Sequence, residues 1–271
     1  MQLYSKVQFL YQSLHMHPSN SAFTVLDSVD STNNYAMAKV HAGLAKHGDG
    51  SFAHHQTTGK GQRGKNWHTG NGENIALSIV IEPFPLLIPE QFKLSAAIAL
   101  ACFDFFSSYA GEETKIKWPN DIYWRDRKAG GILIENVIGK SAAIDKQANK
   151  TSWKFAIAGM GININETHFD PLLSNAVSLK QITGKDFQPV ELAKELHQIV
   201  LKRIGELSAK PFEVLLRQYN SNLYRINHLV RLRKNNIEFE SLVKGVTATG
   251  QLFTTDRIDN FFDFGEVEWI L

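Results

Sequence analysis

Residues 58–67, TGKGQRGKNW, combine three glycines with three cations and contain no acidic residue. Glycine allows a backbone to come close to a bound group, and backbone amides and cationic side chains both donate hydrogen bonds to anions. The spacing differs from the Walker A pattern and from the GxGxxG pattern that opens a helix. This segment, called the glycine loop below, therefore indicates a site for phosphate or carboxylate. A mobile surface loop or a nucleic-acid contact is the alternative.

A second group of polar side chains is predicted where the segment KWPND ends a strand. Pro119 lacks an amide donor, and Asn120 and Asp121 favour turns, so the strand that carries Lys117 must stop there. Lys128 then precedes a pair of glycines, which places a cation where another molecule can approach the backbone. The pattern indicates a binding site at a strand end, and a tight turn followed by a bulged strand is the structural alternative.

Two further segments carry weaker signals. The glycines within residues 159–163 interrupt an apolar strand, which is typical of a bulge, of close packing against a helix or of contact with a ligand. Asn163 ends that strand, and its amide can bind the hydrogen-bonding edge of a base. Residues 31–33, Ser-Thr-Asn, precede an apolar helical stripe and are by default a helix cap.

Hydrophobic periodicity predicts the elements that position these residues. The predicted fold is α+β, with one mixed β-sheet and helices packed against it, and with short strands only from residue 225 onward. We therefore expect a catalytic domain over 1–224, a small β-barrel over 225–271 and an exposed connection over 139–152. The predicted strands are 51–56, 75–81, 115–118, 122–124, 131–137 and 155–164 in the sheet, and 229–232, 237–246, 251–254 and 265–270 in the barrel; predicted helices follow 31–33 and span 92–109, 189–207 and 211–223.

Charge and cysteine content exclude several classes of protein. The 29 basic and 27 acidic residues give a formal charge of +2, which is too small for a DNA-coating protein. A single cysteine, Cys102, excludes an internal disulfide framework and a multi-cysteine zinc site, and it predicts a reducing, cytoplasmic location. The longest apolar run, 94–103, is about half of a bilayer span. Since the first 20 residues lack the features of a signal peptide, we expect no membrane contact.

In their order along the chain, these motifs resemble the biotin protein ligase family. The resemblance rests on KWPND followed by RKxxGI, on the glycine loop and on the glycines of 159–163, and it covers roughly residues 24–271. It implies a catalytic core like that of class II aminoacyl-tRNA synthetases and a C-terminal SH3-like barrel. Many bacterial members carry an N-terminal winged helix-turn-helix. Because only residues 1–23 precede the motifs here, the resemblance implies a monofunctional ligase that does not bind DNA.

The family's reaction implies roles for individual residues. Biotin and ATP, with Mg²⁺, form biotinyl-adenylate and pyrophosphate, and a lysine of a carrier protein then takes the biotinyl group. No residue is assigned as a metal ligand. The implied catalytic residues are Lys128, Lys60 and Asp121, with Asp121 orienting the acceptor amine or taking its proton. The implied biotin contacts are Ser31, Thr32, Asn33, Gln56, Lys60, Gly61, Gln62, Lys128 and Gly131, and the implied ATP contacts are Gly59, Lys60, Arg63, Lys65, Trp67, Lys117, Asn120 and Asn163.

The glycine loop departs from the family pattern at two positions. The family most often has Gly-Arg-Gly-Arg-Arg-Gly where this chain has GKGQRG. Lys60 lacks the bidentate fork of arginine, and Gln62 carries no charge. Anion binding is expected to survive, whereas the tightness with which the adenylate is retained is left open.

Two other functions are compatible with parts of the pattern. A lipoate or octanoate ligase or transferase shares the catalytic architecture, although KWPND and RKxxGI favour biotin. A non-enzymatic module that senses biotinyl-adenylate, or binds nucleic acid through the glycine loop, is the alternative from another class. The resemblance suggests the biotin carrier domain of a carboxylase as the partner, and a homodimer is left open.

Overall fold

The structure is a computed structural model that describes residues 21–67, 70, 72–83, 85–140, 151–173 and 175–270. Two expectations fall mainly on other residues. The expectation that no DNA-binding domain precedes the motifs concerns 1–20, and the exposed connection concerns 141–150, so both lie outside the described residues.

A mixed sheet forms the centre of the described fold, as predicted, and it has seven strands. Its strands are β1 Phe23–Val29, β2 Gly50–Gln56, β3 Ile75–Ile81, β4 Thr114–Lys117, β5 Asp121–Trp124, β6 Arg127–Lys140 and β7 Thr151–Ile162. The order is β1-β2-β3-β7-β6-β5-β4, in which β1 and β2 are parallel and the other neighbours are antiparallel. The antiparallel β6–β7 pair therefore lies near the middle of the sheet and can carry side chains into a site on its face.

Helices cover both faces of this sheet. They are α1 Thr32–His41, α2 Gln91–Ala110, α3 Leu179–Thr183, α4 Pro189–Ala209 and α5 Phe212–Ser221. Along β3, Leu77 and Ile79 face the main core with α2, whereas Val80 packs against Ala36 of α1. The period-two alternation of Ile75, Leu77, Ile79 and Ile81 predicts a half-buried strand. That prediction was wrong, because all seven residues of β3 are buried between the two layers of helices.

Helix α2 is the apolar centre of the main core. Leu94, Ile98 and Phe105 recur at helical spacing and are at most 1% exposed. Cys102 is buried on the same helix, and burial raises the pKa of its thiol. Within the described residues, one stretch, Ile88–Ala110, is long and apolar enough to span a membrane by those two criteria. Because α2 makes up most of that stretch and packs against α4 and α5, its apolar character is accounted for by the core.

The C-terminal strands form a second, five-stranded antiparallel sheet. They are β8 Leu229–Lys234, β9 Ile237–Val246, β10 Leu252–Thr255, β11 Asp259–Phe262 and β12 Glu268–Ile270. The order β11-β10-β9-β8-β12 leaves β11 and β12 as opposite edges. A closed barrel would require these two edges to pair, so the predicted barrel is not confirmed. The division at residue 225 stays a prediction.

Hydrogen bonds of Trp118 and Asn220 are among the contacts that join this second sheet to the main fold. The indole nitrogen of Trp118 donates to the carbonyl oxygen of Gly250 at 2.9 Å. The side chain of Asn220, at the end of α5, accepts from the Val246 amide at 2.8 Å and donates to the Val246 carbonyl at 3.0 Å. The C-terminal sheet is thereby held beside the turn between β4 and β5.

Candidate active site

A cleft of about 470 Å³ opens between the face of the main sheet and the C-terminal sheet. Every residue proposed above for catalysis or binding lines it, with the exception of Gly59. The Gly59 carbonyl accepts from the Trp67 amide at 2.8 Å, and a Cβ on Gly59 would overlap the Trp67 carbonyl oxygen. Gly59 therefore closes the base of the glycine loop, and the loop's other residues form one wall of the cleft.

The glycine loop folds as a small hairpin. Lys60 pairs with Asn66 as an isolated bridge, and the Gly61 amide donates to the Lys65 carbonyl at 2.7 Å. Arg63 at the tip has a φ of 55° and Gly64 a φ of 73°. A left-handed backbone is unfavourable for arginine and easy for glycine, and here it turns the chain back on itself. The hairpin therefore places its cationic residues on and beside a short turn of defined backbone geometry.

Arg63 reaches across the cleft to the C-terminal sheet. Its guanidinium carbon lies 4.9 Å from the centroid of the Phe264 ring, and the guanidinium lies so close to Gly265 that a Cβ there would overlap it. This contact is a cation–π interaction that ties the hairpin tip to the opposite wall. A direct contact of Arg63 with phosphate stays a prediction.

Lys128 is the cation at the floor of the cleft. Its Nζ lies 2.7 Å from Asp121 Oδ1 and 6.0 Å from the centroid of the Trp67 ring. The β5–β6 pairing shifts register after Ile122, so the chain bulges just where Lys128 projects. The bulged strand and the candidate cation therefore occur at the same place, and Lys128 lies beside the glycine loop.

Lys117 lies in an aromatic part of the cleft. Its Nζ donates to Tyr123 Oη at 3.3 Å and lies 4.8 Å and 5.7 Å from the ring centroids of Tyr123 and Trp269. Burial is the main cause that lowers the pKa of Lys117 to about 8; the charge of Asp121 opposes this shift, and the charges of Lys128 and Lys65 add to it. An anion bound here would be stabilised, because it would offset the desolvation cost of the Lys117 ammonium and the repulsion among the three cations.

A buried polar network fills the other end of the cleft. Thr32 donates to Gln56 Oε1 from its amide at 2.8 Å, and its hydroxyl oxygen lies 3.2 Å from the same atom. The hydroxyl of Ser78 lies 2.7 Å from Thr32 Oγ1 and 2.6 Å from Asn33 Oδ1, and Asn33 Nδ2 donates to Glu135 at 2.8 Å. Because side chains here bond to one another across two strands and a helix start, this end is suited to a compact polar group.

The helix-cap interpretation of residues 31–33 holds for position only. Ser31 occupies the N-cap of α1 with an extended backbone, but its side chain makes no capping hydrogen bond. Ser31, Thr32 and Asn33 are 2–4% exposed and line the cleft. Their side chains therefore belong to the site.

Two asparagines brace the walls of the cleft. Asn120 Nδ2 donates to the Ile132 carbonyl at 2.7 Å. Asn163 Nδ2 donates to the Val177 carbonyl at 3.2 Å and lies 3.4 Å from the Lys128 carbonyl. Their amide hydrogens thus hold the backbone around Lys128, and a direct contact of either with the nucleotide stays a prediction.

The sequence interpretation missed several cleft residues. The segment between β7 and α3 contributes Phe169, Leu173, Asn175 and Ala176, and the C-terminal sheet and its connections contribute Phe264, Gly265, Val267 and Trp269. Among the described residues, the buried indole nitrogens of Trp67 and Trp269 have no hydrogen-bond partner. The cleft therefore contains donors that a bound molecule can use.

Comparison with known proteins supports a single family. Residues 25–144 match the model of the Biotin/lipoate A/B protein ligase family. The bifunctional ligase/repressor BirA of Escherichia coli (strain K12) is 35% identical over 113 residues, which are 41% of this chain and 34% of BirA. The Biotin--[acetyl-CoA-carboxylase] ligase of Paracoccus denitrificans is 26% identical over 237 residues, which are 84% of this chain and 92% of that protein.

A solved structure has the same fold. The biotin protein ligase from Aquifex aeolicus in complex with biotin and ATP superposes with a TM-score of 0.74 at 21% identity, over 92% of this chain and 98% of that one. Alignments with the BirA proteins of E. coli and Bacillus span 34% and 58% of those relatives' length. At this identity, the structural likeness establishes the fold.

Proposed function

We propose that the chain is a biotin protein ligase, since residues 25–144 match the model of the Biotin/lipoate A/B protein ligase family. It would activate biotin with ATP to give biotinyl-adenylate and pyrophosphate. It would then transfer the biotinyl group to a lysine of a biotin carrier protein. The names of two relatives support this substrate class: one is a bifunctional ligase/repressor, and the other is a Biotin--[acetyl-CoA-carboxylase] ligase.

The convergence of cations on one cleft carries the proposal. Lys60, Lys117 and Lys128 come from three separate segments, and all three line the same cavity. A carboxylate and a triphosphate repel each other, and one pair of unit charges about 4 Å apart is worth about 4 kcal/mol at an effective dielectric of 20. Cations collected in one cleft offset this repulsion, so they suit a reaction between two anions.

The first step requires charge neutralisation. The carboxylate of biotin is ionised at neutral pH and attacks the α-phosphorus of ATP without a general base, and pyrophosphate leaves. We assign Lys128 to the attacking carboxylate and the α-phosphate, because its Nζ lies beside both the glycine loop and the bulge of β6. The Mg²⁺ that accompanies ATP would neutralise the departing pyrophosphate.

The second step requires an uncharged amine. The carrier lysine has a reference pKa of about 10.4, so it must lose a proton before it attacks the acyl carbon and releases AMP. Asp121 is the assigned acceptor or orienting group, and it is held at 2.7 Å from Lys128. Once Lys128 binds the adenylate phosphate, its hold on Asp121 weakens, and the carboxylate becomes available to the incoming amine.

The glycine loop would protect the intermediate. A mixed anhydride hydrolyses readily, so water must be kept from it. The hairpin already contacts both walls, through Arg63 at Phe264 and through Lys60 at Glu135. This closed arrangement supports a role in excluding solvent while the carrier lysine approaches.

Exchange of labelled pyrophosphate into ATP tests the proposal. We expect exchange that depends on biotin and is absent with lipoate or octanoate assayed in parallel. A dependence on lipoate or octanoate alone would assign the chain to the other branch of the family. No exchange with any of the three acids, together with adenylate binding, would favour the sensing module.

A further inference from the structure

Glu135 of β6 contacts two cleft residues with its two carboxylate oxygens. Oε1 accepts from Lys60 Nζ at 3.2 Å, and Oε2 accepts from Asn33 Nδ2 at 2.8 Å. Lys60 belongs to the glycine loop, and Asn33 belongs to the first turn of α1. One carboxylate therefore joins the wall that would hold the nucleotide to the wall that would hold the ring of biotin.

The carboxylate also fixes the direction of the neighbouring hydrogen bonds. A carboxylate only accepts, so Asn33 must turn its amide nitrogen to Glu135 and its carbonyl oxygen to Ser78. The single proton of the Ser78 hydroxyl then points to Asn33, since that oxygen cannot donate. The bond between Ser78 and Thr32, 2.7 Å long, must therefore take its proton from Thr32, which leaves the Thr32 amide as the donor to Gln56.

Burial makes this order consequential. Ser78 is fully buried, and Thr32 and Asn33 are at most 4% exposed, so solvent has little access to these groups. Gly159 beneath them has no Cβ, and a Cβ there would overlap Asn33 Oδ1. Gly159 thus leaves room for the amide of Asn33, and two hydrogen bonds on its polar atoms hold that amide in position.

We propose that Glu135 is a positioning residue for the acid substrate, an inference that rests on the proposed function. Its charge sets which groups of Thr32, Asn33 and Ser78 donate and which accept at the end of the cleft that would recognise the ureido ring. Its second role is to hold Lys60 in an ion pair until an anion binds in the cleft. Loss of the charge should therefore weaken biotin binding, whereas ATP binding should be unchanged or tighter, because Lys60 gains freedom to contact phosphate.

The first test is Glu135→Gln, with biotin binding measured by calorimetry and the KM for ATP measured by pyrophosphate exchange. We expect biotin to bind about tenfold more weakly, since a hydrogen bond to a neutral acceptor is weaker than one to a charged acceptor. The KM for ATP should not rise. Glu238→Gln is the matched control, because Glu238 pairs with Arg233 at 2.7 Å on the C-terminal sheet, away from the cleft.

A second variant tests the orientation directly. Glu135→Gln combined with Asn33→Asp exchanges donor and acceptor across the same contact, so biotin binding should recover relative to Glu135→Gln alone. Should Glu135→Gln fail to fold, Ser78→Ala removes one hydroxyl of the network and should weaken biotin binding without raising the KM for ATP.

The outcomes separate this inference from the function on which it rests. Failure of the wild-type protein to bind biotin would overturn the proposed function. Wild-type binding matched by Glu135→Gln, an equal loss of biotin and ATP binding, or a double variant as weak as the single one would overturn the role of Glu135.

Discussion

Lys128 forms an ion pair with Asp121 that substrate binding must rearrange. At 33% and 20% side-chain exposure the two groups are partly screened by solvent, so an incoming phosphate can compete with the aspartate for the ammonium. The ion pair thereby holds the Lys128 ammonium in the cleft, and a phosphate can still displace the aspartate from it.

Replacement of Lys128 by alanine tests its role. Loss of a cation at the reacting phosphate should reduce biotin-dependent pyrophosphate exchange by about a hundredfold or more. The melting temperature should stay near that of the wild type. Lys180→Ala is the control, because Lys180 pairs with Asp186 at 2.6 Å outside the cleft. Normal exchange by Lys128→Ala would return the RKxxGI segment to a structural role.

Lys117 predicts a pH dependence of stability. Its pKa falls from 10.5 in the unfolded chain to about 8 in the fold. Below pH 8 both states are protonated and the fold bears the full cost of a buried charge. Between pH 8 and 10.5 the unfolded state binds the extra proton, so this cost fades as the pH rises.

Lys117→Met should therefore raise the melting temperature at pH 7, and the increase should shrink by pH 10. Thermal melts across this range check the sign. An increase of the same size at both values would show that the burial of the ammonium is not its cause.

Among the elements, β7 has two glycines that let side chains from other elements approach its backbone closely. A Cβ on Gly159 would overlap Asn33, and a Cβ on Gly161 would overlap the indole of Trp67. The glycines thus mark close approach of side chains from α1 and from the glycine loop. Close contact was one of the explanations that the sequence pattern allowed.

Gly161→Ala should push Trp67 away from the sheet. Overpacking of this kind costs about 1–3 kcal/mol, so we expect the KM for ATP to rise by about tenfold and the tryptophan emission to shift to the red. Gly139→Ala is the control, since its Cβ would meet only the flexible side chain of Lys154, at 3.2 Å or more. Unchanged emission and KM would separate Trp67 from nucleotide binding.

Elements with a strong local pattern could be predicted from the sequence. The turn at 118–120 follows from the missing donor of Pro119, and α2 follows from its apolar spacing. Strand β1 was missed because it is an edge strand, half exposed, whose Asp27 and Ser28 interrupt the alternation. Helix α3 was missed because five residues are too few to show a helical period.

At the scale of the whole molecule, the C-terminal sheet completes the cleft. Phe264 is 52% exposed and receives Arg63 from the glycine loop. The motifs on the main sheet could be predicted as a site because each has a recognisable local pattern. Phe264 and Trp269 could not, because their place in the cleft depends on how two sheets pack, which no local pattern encodes.

Phe264→Ala should loosen the glycine loop without unfolding the protein. An exposed cation–π contact is worth about 0.5–1 kcal/mol, so the KM for ATP should rise by about two- to fivefold while biotin affinity is kept. Phe261→Ala is the control, because Phe261 is 49% exposed and stacks on Phe253 of the same sheet. Equal effects of both variants would show that the C-terminal sheet acts on stability alone.

The pairing of β6 with β7, which is regular from Gly130 to Val137, fixes a length. Between Gly131 and Glu135 the register is unbroken, and four residues of strand rise by about 13 Å. A hydrogen-bonded strand does not stretch, so the distance from the Gly131 backbone, beside Lys128, to the Glu135 backbone is constant. We therefore expect the cleft to accept acids of one chain length. Acids with longer or shorter chains would form hydrogen bonds at one end only.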